Sequence, residues 1–297
     1  MTGRRARAAA AVLLLAAPAA CSRKAGESAG QDALAESRGL VEAGRYDEAL
    51  ARLGDASDPD AAYLAGRAWA GKAQGAPTSA LKPEEERALA FYERAVAARP
   101  QFADAHLAIA ELLAPHAAAA AASAAGAATR LAPHGKVAPP AAAALDPLVA
   151  RVLGSYATAL QSDLGGTRAG EELIDFAIRV GRPGEADAGF QELLRRRRED
   201  PALLVRYGDF LAGPGGKPEA ALAQYAQAII WKPDDTKTKL KMADIHLAAA
   251  AQHLRDLEYV AAEARLKEAR RYTVEPSSPQ AARLAELEGR LRDVRGR

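Results

Sequence analysis

The residues with chemistry to offer in this chain are five histidines, one cysteine and many scattered carboxylates. His246 and His253 are seven residues apart. On a helix rising 1.5 Å per residue they stand about 10 Å apart, too far to share a metal ion. Asp244 lies near His246 in sequence, but side chains two apart on a helix do not face each other. His106, His116 and His134 have no acid or nucleophile at a useful spacing, and the histidines read as structural. The chain has no glycine-rich phosphate loop closed by Lys-Ser or Lys-Thr, and no Gly-x-Ser-x-Gly. With one cysteine, Cys21, it can form neither an intramolecular disulfide nor a cysteine-based metal site. These residues predict a protein without a catalytic site, metal or cofactor. The densest basic run, Arg195 to Arg198, precedes Glu199 and Asp200. It reads as a solvated helix end, where cations favour the negative pole of the helix dipole. The alternative is contact with an anionic headgroup or an acidic partner.

Cys21 takes its meaning from what precedes it. Arg4, Arg5 and Arg7 form a positive leader, and Ala8 to Ala17 is an apolar run too short to span a bilayer. This segment with Ala19, Ala20 and Cys21 resembles the bacterial lipoprotein signal, in which the cysteine is acylated and becomes the mature N-terminus. The resemblance implies a lipid on Cys21 and a membrane tether. Pro18 stands where that signal usually carries an aliphatic residue, and cleavage after Ala19, giving a secreted chain, is the competing reading. Ser22 in place of Asp implies the outer membrane in a Gram-negative host. The expected localisation is therefore the periplasmic side of the envelope.

The chain carries 40 basic and 38 acidic residues. Without the three leader arginines the balance is 37 to 38, which argues against nucleic acid as a partner. No second apolar run is expected to reach the length of a membrane helix.

The elements that must position these residues read as helices throughout, with no period-two alternation. In Pro83 to Pro115, Ala88, Tyr92 and Ala95 are spaced four and three apart, and Pro100 stops the helix. The same offsets recur at Ala221, Tyr225, Ala228 and Pro233. Recurrence of small, large, small and stop predicts a repeated helix pair. Expected pairs are Gln31–Ala43 with Tyr46–Leu53, turning at Gly44-Arg45, and Asp60–Gly71 with Pro83–Arg99. They continue with Ala103–Leu113 and His116–Leu131, Arg168–Val180 and Pro183–Arg198, Pro201–Leu211 and Glu219–Lys232, then Thr236–Leu254 and Tyr259–Arg271. The helix Pro147–Ser162 has no evident place in a pair, and Pro279–Arg295 reads as a closing cap.

On Gly66, Ala88, Tyr92, Ala95 and Pro100, on Gly208, Ala221, Tyr225, Ala228 and Pro233, and on Gly44 to Leu50, the chain resembles the tetratricopeptide repeat family. The resemblance covers most of residues 31–276. It implies an all-α, right-handed solenoid of about six antiparallel helix pairs with a C-terminal capping helix. The expected division is a signal peptide over 1–20, a lipid-anchor neck over 21–30 and N-terminal repeats over 31–133. A Pro/Ala-rich linker over 134–146 and C-terminal repeats over 147–297 complete it.

In that family the inner groove is formed by the first helix of each pair. One slot here holds Arg38, Arg67, Glu111, Asp175, Asp209 and Asp244. Neighbouring slots hold Leu34, Tyr63, Leu107, Val205 and Leu240. The groove would be basic at its N-terminal end and acidic at its C-terminal end, suited to a protein or peptide of opposite polarity. The plainer reading is ordinary amphipathic helix surface. The function implied is a non-enzymatic interaction scaffold tethered to the envelope, with a structural role in an envelope secretion or pilus-type machine as the alternative.

Overall fold

The computed structural model describes residues 19–73, 80–130, 146–163, 166–273 and 275–295, with side chains described from residue 31 and not for 125–130. Those residues form thirteen helices and no strand. They are α1 (Ala19–Glu42), α2 (Tyr46–Leu53), α3 (Pro59–Lys72), α4 (Pro83–Ala98) and α5 (Ala103–Arg130), then α6 (Pro147–Ser162), α7 (Arg168–Arg179), α8 (Pro183–Arg196) and α9 (Pro201–Ala212). α10 (Pro218–Trp231), α11 (Thr236–Arg255), α12 (Tyr259–Tyr272) and α13 (Pro279–Arg295) complete the chain. The fold is an all-α array of helix pairs.

Proline stands at the first position of seven of these helices, among them α3, α9 and α10, where its missing N–H leaves no bond unmade. Aspartates cap several of the same ends. The Asp58 carboxylate accepts from the Asp60 and Ala61 amides at 2.9 and 3.2 Å, and that of Asp200 from Ala202 and Leu203 at 3.0 and 3.1 Å. Tight turns join α1 to α2 and α7 to α8 through Gly44 (φ 74°) and Gly181 (φ 70°). In both, the residue after the glycine donates back over the helix end, Arg45 to the Leu40 carbonyl and Arg182 to that of Ala177.

The chain divides into two compact units at Pro100–Gln101. In the first, α1 packs on α2 and α3 on α4. In the second, the pairs are α5 with α6, α7 with α8, α9 with α10 and α11 with α12, and α13 packs on both helices of the last pair. The six expected pairs are present, but the third has a different composition.

That third pair corrects the sequence reading. Pro115 does not end the helix begun at Ala103; α5 runs on through the alanines to Arg130, with Pro115 inside it. An interior proline costs about 3 kcal/mol. Burial of Leu113, Ala114, His116 and Ala117 on both sides of Pro115 offsets it, and alanine is the best helix former. The partner of α5 is α6, the helix that had no place in a pair. The boundary between the compact units falls at residue 100, and the stretch 134–146, expected as a linker, lies outside the described residues except for Asp146.

Two further expectations change. Ala103–Ala124 is long and apolar enough, by length and composition, to cross a membrane. Its buried stripe, Ala105, Ile109, Ala110 and Leu113, packs as a core face, and α5 lies against α6. The other change is at α1, which starts at Ala19, so the backbone of 21–30, expected as a flexible neck, is helical. No proline interrupts that alanine-containing stretch. The signal segment before Ala19 and the side chain of Cys21 lie outside the described residues.

Candidate functional site

In two of the pairs, α3 with α4 and α9 with α10, the central contact is a tyrosine lying on a glycine. A Cβ at Gly66 would come within 2.5 Å of the Tyr92 ring, and one at Gly208 within 2.4 Å of the Tyr225 ring. Both tyrosines are buried, between alanines 88 and 95 and between 221 and 228, all fully buried or nearly so. The small–large–small spacing is therefore the imprint of two helices in close contact.

This contact places the next residue. Asp209 follows Gly208 on α9, and the Tyr225 hydroxyl donates to its carboxylate at 2.7 Å. Burial, reinforced by the Asp209 charge, pushes the Tyr225 phenol well above its ordinary pKa, so it remains a donor. From the next pair Lys241 reaches both Asp209 oxygens at 2.6 and 2.7 Å.

The same relation recurs along the second unit. Arg168 of α7 pairs with Glu111 of α5 at 2.5 Å, and Arg206 of α9 with Asp175 of α7 at 2.5 Å. The final rung is the Gln280 amide of α13, which donates to Asp244 of α11 at 2.9 Å. Each acid in the recurring slot is met by a donor from the first helix of the following pair, or from the cap. All four acids expected to form an acidic groove thus share one face as rungs of a ladder, three of them paired with a cation and Asp244 with a neutral amide. Their side chains stay accessible: Asp175 is 56% exposed and Asp209 48%. Leu107, Val205 and Leu240 are half-buried on the same helices.

In the first unit the slot behaves differently. Arg38 on α1 is exposed and Arg67 on α3 is half-buried, and neither has an acid partner among the described residues. Leu34 lines a groove of about 480 Å³ with Leu53, Ala56 and Ala61. Tyr63 is half-buried, its ring centroid 6.0 Å from that of Tyr92. The slot therefore holds unpaired arginines in unit one, while in unit two Glu111, Asp175 and Asp209 are paired with cations and Asp244 accepts from a neutral amide.

The residues that sequence reasoning missed are Arg168, Arg206, Lys241 and Gln280. A signal for two of them was present, since Arg206 and Lys241 each stand three residues before the acid of their own helix, one turn away on the same face. The arginine run was also misread as a solvated end. Arg196 donates to the carbonyls of Leu160 and Asp163 at 2.6 Å each and of Gly166 at 3.1 Å. It thereby closes the C-terminal end of α6. Arg197 holds Glu171 at 3.1 Å and bonds Thr167, while Arg195 pairs with Glu192.

A second polar knot joins α8, α9 and α10. Asp187 accepts from the Tyr207 hydroxyl, from Lys217 at 2.8 Å and from Gln191 at 3.3 Å. Burial pushes its carboxyl upward, but these hydrogen bonds outweigh it and the pKa lies below the usual range. The two histidines serve separate local contacts. His246 is buried and stacked on Tyr272 at 5.9 Å, and His253 Nδ1 lies 2.6 Å from Glu258. Among the described residues no three His, Cys, Asp or Glu side chains converge on one point.

No family model and no curated protein matches the sequence. Solved structures of similar helical arrangement include YrrB, described as a TPR protein with an unusual peptide-binding site. It is 14% identical over 81% of this chain and 97% of its own, with a TM-score of 0.40. PilF of Pseudomonas aeruginosa is 15% identical over 89% and 98%, with a TM-score of 0.42. The TPR protein TTC0263 of Thermus thermophilus is 18% identical over 72% and 97%, with a TM-score of 0.36. The fold assignment rests on the chain's own helix pairing and glycine–tyrosine contacts.

Proposed function

We propose that this chain is a non-enzymatic scaffold of the bacterial envelope that holds a partner protein or peptide along the first helices of its pairs. The observation that carries this reading is the half-exposed ladder, with Leu107, Val205 and Leu240 on the same helices. A surface ion pair is worth only about 0–1 kcal/mol. A basic side chain of an extended partner can therefore replace Arg206 or Lys241 at little cost. Arg38 and Arg67 supply free charge for an acidic stretch. The envelope tether is supported by the leader arginines, the short apolar run and Cys21, with Ser22 favouring the outer membrane.

The test begins with crosslinking on membranes, with mass spectrometry of what is captured. The partner's affinity is then measured for Asp209→Lys with Asp244→Lys, and for Arg38→Glu with Arg67→Glu. Loss of affinity at unchanged helix content supports groove binding; unchanged affinity in both double variants refutes it. Cys21→Ala should release the exported chain from membranes, and continued membrane association refutes the lipid.

A second reading, a fixed component of an envelope machine, is favoured by one observation. Ile230 and Trp231 at the end of α10 are 73% and 48% exposed, a large apolar pair off the first-helix face. In that case the charge reversals leave the complex intact and Trp231→Ala releases it.

A further inference from the structure

The last groove of the chain lies between α12 and α13, and two ion pairs span it. Arg295 reaches Glu263 at 2.8 Å and Arg270 reaches Glu288 at 2.5 Å. These bridges fix an antiparallel register and stand seven residues apart on each helix, about 10 Å at 1.5 Å per residue. Midway between them that register sets Lys267 opposite Leu291 and Arg292, which line the same groove. Neither Lys267 nor Arg292 has an acid partner among the described residues. Two cations thus face one groove between two closed ends. The lining holds four cations and two carboxylates, an excess of two positive charges. Its floor is apolar, Leu266 and Leu291 being 3% and 7% exposed, and its volume is about 630 Å³.

We propose that this groove binds a phosphomonoester carried on a small organic group, with the phosphate between Lys267 and Arg292. Like charges sharing a cleft repel, and an anion between them turns that repulsion into attraction. A phosphomonoester carries about −1.5 to −2 charges at pH 7, which matches the excess. The Arg292 guanidinium offers a planar fork for two phosphate oxygens and Lys267 a compact ammonium for a third. The volume is in the range of small-molecule pockets and exceeds what a bare phosphate fills, so the leucine floor is left for the organic body. Buried Leu266, Leu287 and Leu291 hold the two walls together, so the groove is formed before a ligand arrives.

The test is calorimetric titration of the full chain with phenyl phosphate, and in a second arm with inorganic phosphate, at an ionic strength held constant with sodium chloride. One saturable site is expected, tighter for phenyl phosphate than for inorganic phosphate. Lys267→Gln and Arg292→Gln should each weaken it about ten-fold, the value of one charge-assisted bond. Arg283→Gln, exposed on α13 and outside the groove lining, should leave it unchanged. All three positions are exposed, and circular dichroism checks that each variant keeps its helices. Absence of saturable binding, equal affinity for the two phosphates, or equal binding by the groove variants and the wild type would each overturn the proposal.

Discussion

The ring of Tyr225 occupies the space in which residue 208 would carry a side chain. A Cβ there would meet Cε1 at 2.4 Å, and the ring is 2% exposed with alanines on either side. The tyrosine cannot move without breaking its bond to Asp209. Gly208→Ala is expected to destabilise the second unit by about 1–3 kcal/mol, the range for overpacking a filled core. Urea unfolding followed by circular dichroism measures it, and a loss below the cost of an ordinary surface change contradicts the packing account.

Arg196 is the one member of the arginine run that ties two pairs together. Its side chain is 16% exposed and spans from α8 to the end of α6. Lysine can supply the charge but not the planar fork that reaches the Leu160 and Asp163 carbonyls together. Arg196→Lys is expected to cost about 1.5–3 kcal/mol, the worth of a charge-assisted bond. Arg198→Lys, on an exposed turn, should be neutral. Paired denaturation curves of the two variants decide the point.

The turn from α11 to α12 repeats the geometry of Gly44 and Gly181 with a leucine. Leu257 has φ 63° and is 68% exposed, and the next amide, of Glu258, donates to the His253 carbonyl at 2.8 Å. A left-handed conformation costs a non-glycine residue about 1–2 kcal/mol. Glycine recovers this, less the entropy it gains in the unfolded chain. Leu257→Gly should therefore raise stability, with an upward shift in melting temperature as the readout, and a downward shift would contradict it.

Stability should also depend on His246. Burial first, and then the Arg265 guanidinium, hold its pKa below the ordinary value of 6.5, against the smaller opposing effects of Glu268 and Glu219. Below pH 6.5 the unfolded chain binds a proton that the folded chain refuses, so stability falls as pH drops from there toward the folded pKa. Melting temperatures from pH 8 to pH 5 should decline in that window. His246→Gln should flatten this part of the profile, leaving the carboxylates to act at lower pH.

The parts of the fold written in short-range spacing were legible in the sequence. Proline at the start of α4, α6, α8, α9 and α13, glycine at 44, and the alanine–tyrosine–alanine triplets each act within a turn or two. What failed depended on partners distant in the chain. Pro115 looks like a stop until α6 buries the residues on both sides of it. The acids of the groove look free until donors 31 to 57 residues away close on them. Arg196 reads as solvent-facing for the same reason, since its acceptors lie at and just beyond the end of α6, 30 to 36 residues before it.

The ladder has a mechanical consequence. Its rungs join first helix to first helix, and the second helices are tied in a row of their own, by Arg196 of α8 to α6, by Lys217 at the start of α10 to Asp187 of α8 and by Arg265 of α12 to Glu219 of α10, so both edges of the second unit are laced. Bending that separates the first helices must extend one row, and bending in the opposite sense must extend the other. Exposed pairs are screened at physiological ionic strength over about 8 Å. Added salt therefore slackens both edges, making stiffness against bending, and not only folding stability, a property that the surrounding solution can set.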